Sequence, residues 1–120
     1  MLIQETLVKT YEIKIYCGLR KGYTEEITDI YVLEDICQKY CDEKSFCVTI
    51  TPTEFIYKGG FEPGAIVGII NYPRFPNTRG QLENHAIELG RILLEKLDQM
   101  RLSIVMPAHT LMLERNEQKT

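Results

Sequence analysis

The sequence contains no apolar run approaching the roughly 20 residues that a membrane-spanning helix needs. Its first residues, Met1-Leu2-Ile3-Gln4-Glu5, lack the basic region and apolar stretch of a secretory signal. No membrane partner and a cytoplasmic location are therefore expected. Basic charge is short as well: 14 Lys and Arg against 17 Asp and Glu leave a net charge of −3. That balance argues against a nucleic-acid partner, because phosphate affinity rests on a basic surface that releases counterions. Histidine is scarce. Neither His85 nor His109 stands beside a serine or cysteine in a nucleophile motif, and they read as a helix-surface residue and a turn residue. There is no GxGxxG, no P-loop and no pair of metal-ligand spacings, so no cofactor and no metal are expected. Cys17, Cys37, Cys41 and Cys47 form no CxxC pair and lie inside apolar patterns, which marks them as reduced core thiols. The acidic pairs Glu25-Glu26, Glu34-Asp35 and Asp42-Glu43 read as solvated charge, and no catalytic residue is singled out.

What is present is the patterning of one α+β domain spanning residues 1–120, with Glu114 to Thr120 as a frayed tail. Tyr11, Ile13, Ile15 and Cys17 alternate with Glu12, Lys14 and Tyr16, the period-two pattern of a strand that ends near Gly18. Leu19 to Tyr23 is a loop. Leu33, Ile36, Cys37, Tyr40 and Cys41 make one helical stripe between Val32 and Lys44. Phe46 to Ile50 reads as a second strand, Thr51-Pro52-Thr53 as a turn and Glu54 to Lys58 as a third strand. The turn chemistry of Gly59 to Gly64 then leads into an almost wholly apolar fourth strand, Ala65 to Asn71. Tyr72 to Pro76 cannot be helical, because each proline pushes its predecessor towards extended geometry. Thr78 and Gln81 have capping-box spacing and open a second helix running to about Gln99. Leu102, Ile104 and Met106 form a fifth strand, which Pro107-Ala108-His109 turns into a sixth, Thr110 to Glu114. The expected fold is a ferredoxin-like sheet with additional strands and two amphipathic helices packed on one face.

The arginines are the most informative polar residues, because a guanidinium presents a planar fork matched to phosphate oxygens and also stacks on a base. Arg20 closes the first strand; Arg74 and Arg79 flank Phe75 after the fourth. If right-handed crossovers make the first, second and fourth strands parallel, those loops share one end of the sheet. Arg101 and Arg115 then lie at the other end, and a pocket using both groups must be shared between two subunits. The plainer alternative is that the arginines only solubilise an acidic protein.

Lys14 to Arg20 (KIYCGLR), Cys47 to Tyr57 (CVTITPTEFIY) and Ile66 to Pro76 (IVGIINYPRFP) resemble phage anti-Thoeris sponge proteins. The resemblance covers about Lys9 to Glu114. It implies a phage anti-defence protein of the host cytoplasm, non-enzymatic, that sequesters a cyclic ADP-ribose-type signal and assembles as a dimer or higher homo-oligomer. It places Arg20 and Arg101 on the pyrophosphate, Phe75 (or Tyr72) against the adenine, Asn84 near a ribose or base edge, and Arg74 and Arg115 as further ligand contacts. Two other readings stand beside it. A tautomerase-type isomerase requires an amino-terminal proline where this chain has Leu2, and a trimeric small-molecule-sensing regulator requires longer loops than Gly59 to Gly64 and Pro73 to Gly80.

Overall fold

The computed structural model describes residues 1–116. The chain runs β1 (Glu12–Gly18), α1 (Ile30–Lys44), β2 (Thr49–Tyr57), β3 (Gly60–Ile70), α2 (Arg79–Lys96), β4 (Arg101–Val105) and β5 (Thr110–Glu114). The five strands form one sheet in the order β2-β3-β1-β4-β5, with every neighbouring pair antiparallel. Without β5, this βαββαβ path with β1 and β3 at the centre is the ferredoxin-like arrangement, and β5 extends it by a hairpin onto β4.

The alternation read in β1 is real: Ile13, Ile15 and Cys17 are fully buried, as are Ala65 and Val67 from β3. They meet Leu33, Cys37 and Tyr40 from α1 and Leu82, Ala86, Leu89 and Leu93 from α2, so both helices cover the same face. Asp29 caps α1 by accepting from Tyr31 N–H at 3.0 Å. Thr78 and Gln81 form the expected reciprocal capping box on α2. At Gly90 the helix comes close enough to β4 that a Cβ would stand 2.9 Å from Ile104 Cδ1. Among the described residues no helix is long and apolar enough to cross a membrane.

Three expectations are corrected here. Residues 49–57 form one continuous strand, not two separated by a turn at Pro52. Pro52 is tolerated because β2 lies at the sheet edge, where a missing N–H faces no partner strand. With that turn absent, one hairpin fewer separates β2 from β3, so β3 runs antiparallel to β1 instead of parallel. The third concerns cysteine: Cys17 and Cys37 are buried thiols, but Cys41 is only half-buried and Cys47 is exposed. At the chain's end, Glu114 closes β5 and Arg115 N–H donates to Met100 O at 2.9 Å, while residues 117–120 lie outside the described part.

Candidate functional site

The reversal of β3 relocates every arginine. β1 ends at Gly18, opposite Gly64 near the start of β3 and beside the start of β4 at Arg101. Arg20, Arg101 and Arg115 therefore share one end of the sheet within a single chain, and no second subunit is needed to bring Arg20 and Arg101 together. Arg74 and Phe75 lie at the other end, beyond Ile70, with the Arg74 guanidinium 5.5 Å from the Phe75 ring centre. Tyr72 and Phe75 are neighbours there, at 6.2 Å between ring centres. Buried Asn71 fixes that end by donating to Lys9 O at 2.8 Å and accepting from Asn77 N–H at 2.9 Å. Asn84 lines a shallow groove on α2 with Lys44, Gln81, His85 and Glu88. Of the six proposed contact residues, Arg20 and Arg101 alone line the same pocket, and Arg115 sits nearby.

That pocket has a volume of about 530 Å³, within the usual range for a small-molecule site. One wall comes from the segment after β1. Leu19 is buried and its N–H donates to Pro63 O at 3.0 Å, which carries the chain across the end of β3. Lys21 N–H bonds Glu26 O at 2.8 Å and Thr28 N–H bonds Leu19 O at 2.7 Å, closing a tight excursion that presents Arg20, Gly22 and Tyr23. Gly22 supplies the positive φ of 56° that this turn requires, and its N–H reaches Asp98 O at 2.8 Å. The β2–β3 hairpin supplies Tyr57 and Glu62, the segment between α2 and β4 supplies Gln99 and Met100, and β4 opens with Arg101.

Gln99 is one of the two buried polar residues among those described. Its Nε2 donates to Arg20 O at 2.6 Å and Leu97 O at 3.3 Å. Rotating the amide by half a turn would set its oxygen against two carbonyl oxygens, so the orientation is fixed and Oε1 faces the pocket as an acceptor. Glu62 enters from β3, half-buried, and the ion pairs of the described residues leave it out.

The arginines are less available than expected. Arg20 lies 3.4 Å from Glu25 and donates to Phe61 O at 3.0 Å; its Nε is buried without a partner. Arg101 pairs with Glu114 at 2.9 Å, and Arg115 with Asp98 at 2.5 Å. A diphosphate would therefore meet two guanidiniums already facing carboxylates, with Glu62 in the same lining. No thiol attacks from this site: burial pushes the Cys17 thiol up to about 12, so it stays protonated at neutral pH.

Glu62, Gln99, Tyr23 and Tyr57 were not legible as site residues. Glu62 stands in a glycine- and proline-rich turn sequence, and Gln99 follows a helix end. Gln99 stands among Asp98, Met100 and Arg101, so no local pattern marks it as buried.

No protein-family model matches the chain, and no curated protein matches its sequence. Solved structures do match. One described as a phage SAM lyase in the apo state superposes with a TM-score of 0.76 at 16% identity, covering 98% of this chain and 100% of that one. Another, a phage SAM lyase in complex with S-methyl-5'-thioadenosine, superposes with a TM-score of 0.75 at 11% identity, covering 99% and 100%. At these identities the likeness establishes the fold. It also corrects the reading of a non-enzymatic cyclic ADP-ribose sponge. The full-length neighbours are described as a lyase, and the ligand bound in one of them is a methylthioadenosine.

Proposed function

We propose that this chain is an enzyme that cleaves S-adenosylmethionine and releases S-methyl-5'-thioadenosine. The observation that carries the reading is the end-to-end fold likeness to a lyase of that substrate, joined to a pocket whose chemistry suits a sulfonium amino acid. Release of S-methyl-5'-thioadenosine means that sulfur keeps its methyl and adenosyl groups and loses the amino-acid arm. The carbon–sulfur bond breaks, its electron pair stays on sulfur, and the sulfonium becomes a neutral thioether. As that bond breaks, either an oxygen of the arm's own carboxylate bonds to the same carbon and closes a lactone, or the neighbouring carbon loses a proton to Glu62, the one carboxylate lining the pocket among the described residues, and an alkene forms. Neither route takes up water.

The lining residues divide by charge. Glu62 favours a cationic substrate over a diphosphate. Tyr23 and Tyr57 bring aromatic rings to the lining, and an aromatic ring attracts both an adenine and a cation. The substrate's carboxylate, the single anionic group of that molecule, asks less of Arg20 and Arg101, which already face Glu25 and Glu114, than a diphosphate would. Like the neighbours, the chain is read as a phage product, here one that removes a methyl donor from its host.

Incubation of the purified protein with S-adenosylmethionine, followed by chromatography, is expected to yield S-methyl-5'-thioadenosine. Proton NMR of the second product identifies a lactone or an alkene. Recovery of intact substrate after prolonged incubation with folded protein would sink the proposal.

A further inference from the structure

Cys41 and Cys47 stand outside the buried core, and the chain folds one around the other. After α1 the backbone turns left-handed at Ser45, with φ 52°, and the Ser45 amide donates back to Cys41 O. Phe46 N–H donates to the same carbonyl at 3.1 Å, so two successive amides close on Cys41. Phe46 is itself held, packed against the core and stacked on His85 at 4.2 Å between ring centres. Beyond it, Val48 N–H faces the Cys41 sulfur and favours its thiolate. Cys47 therefore sits between the amide on the carbonyl of Cys41 and the amide on its sulfur. Burial raises the Cys41 pKa, and the neighbouring Cys47 sulfur is the next cause. The two thiols differ in access: Cys47 is exposed and Cys41 half-buried. An open thiol backed by a sheltered one suits attack followed by resolution. Cys37, one helical turn before Cys41, is buried and closed to a reagent.

We propose that Cys41 and Cys47 form a reversible disulfide by exchange with a low-molecular-weight disulfide such as that of glutathione. The Cys47 thiolate attacks one sulfur of the small disulfide and expels a thiolate, leaving a mixed disulfide on Cys47. The Cys41 thiolate then attacks the Cys47 sulfur, the new S–S bond closes, and the second small thiolate leaves. The chain gives up two protons and two electrons, and the small disulfide is reduced to two thiols. The bond ties the last turn of α1 to the entry of β2. That entry pairs with Gly68, whereas the pocket uses Tyr57 at the other end of the strand, so the proposal goes beyond the lyase reading and does not depend on it.

Ellman's reagent on the native full chain supplies the test. Wild type is expected to release two thionitrobenzoate ions and retain none, the second at a rate that does not change with reagent concentration. Trypsin should then yield Tyr40–Lys44 joined to Ser45–Lys58, a pair that dithiothreitol separates and that excludes Cys37. Cys41→Ser is expected to release half as many ions and to keep the label on Cys47; the wild-type measurement stands by itself if that variant does not fold. Wild type that releases one ion and keeps the label on Cys47, or a bridge that involves Cys37, overturns the proposal. No step of the test uses S-adenosylmethionine, so the failure of either reading leaves the other in place.

Discussion

The orientation of the Gln99 side chain is open to a direct test. Gln99→Leu keeps much of the volume and removes both hydrogen bonds, leaving Arg20 O and Leu97 O without the amide donor. A buried carbonyl deprived of its partner costs about 1–3 kcal/mol. The Leu97 contact is long at 3.3 Å, so the loss comes mainly from Arg20 O and should total about 2 kcal/mol. For a chain of this size that corresponds to a fall in Tm of roughly 6–12 °C. Gln99→Glu is the sharper comparison, because it preserves shape while replacing the donor with an ionised oxygen that faces two carbonyls and lies near Glu62. The isosteric variant is thus expected to be less stable than the leucine variant at pH 8, and to recover as pH falls and the introduced carboxyl gains a proton it can donate. Urea unfolding at pH 8 and pH 5, with m-values checked for constancy, reads both effects. If Gln99→Glu equals wild type at pH 8, the amide is not held as described.

Other expectations follow from the packing. Burial holds the His85 pKa below its ordinary value of 6.5, and Tyr40 Oη lies 2.6 Å from its Nδ1. The unfolded chain binds this proton more readily, so the contribution is complete above pH 6.5 and is lost as pH falls towards the lower folded value. The difference in Tm between wild type and His85→Gln should therefore shrink between pH 8 and pH 5, and a constant difference would refute the linkage. Ellman's reagent on native protein should modify Cys47 first and leave Cys17 and Cys37 unreacted until urea is added, given their burial and thiols pushed up to about 12. Gly64→Ala places a Cβ 2.7 Å from Cys17 O and into the Phe55 ring, and should cost about 1–3 kcal/mol in chemical unfolding. Phe55 can rotate away and Cys17 O cannot, so combining the change with Phe55→Ala should relieve only part of that loss.

Much of the fold can be read directly from the residues. The alternation in Ile13, Ile15 and Cys17, the stripe Leu33, Cys37 and Tyr40, and the Thr78/Gln81 capping box each report a local rule that the structure obeys. Pro52 misleads because the rule it invokes is conditional on place. Proline ends a central strand and is admitted at an edge, and edge status depends on the order of all the strands. That one turn then inverted β3 and sent Arg20 and Arg101 to opposite ends of the imagined sheet. Site chemistry was harder still. Glu62 and Gln99 are separated by 37 positions and meet only because the start of β3 and the α2–β4 segment both lie beside Gly18. No periodicity encodes such a meeting. The guanidinium preference for anions was sound chemistry applied without knowing that Glu25 and Glu114 already faced those groups.

Pro52 has one more effect, on how the molecule keeps to itself. An outermost strand offers a row of amide donors and carbonyl acceptors on which a stray strand from another chain can zip, the first step towards fibrous aggregates. Along β2 that row has a gap where the pyrrolidine ring replaces an amide hydrogen. At the opposite border, β5 is only five residues long. The nine-residue border is broken and the unbroken one is short, so neither side of the sheet gives a passing chain a long, even template.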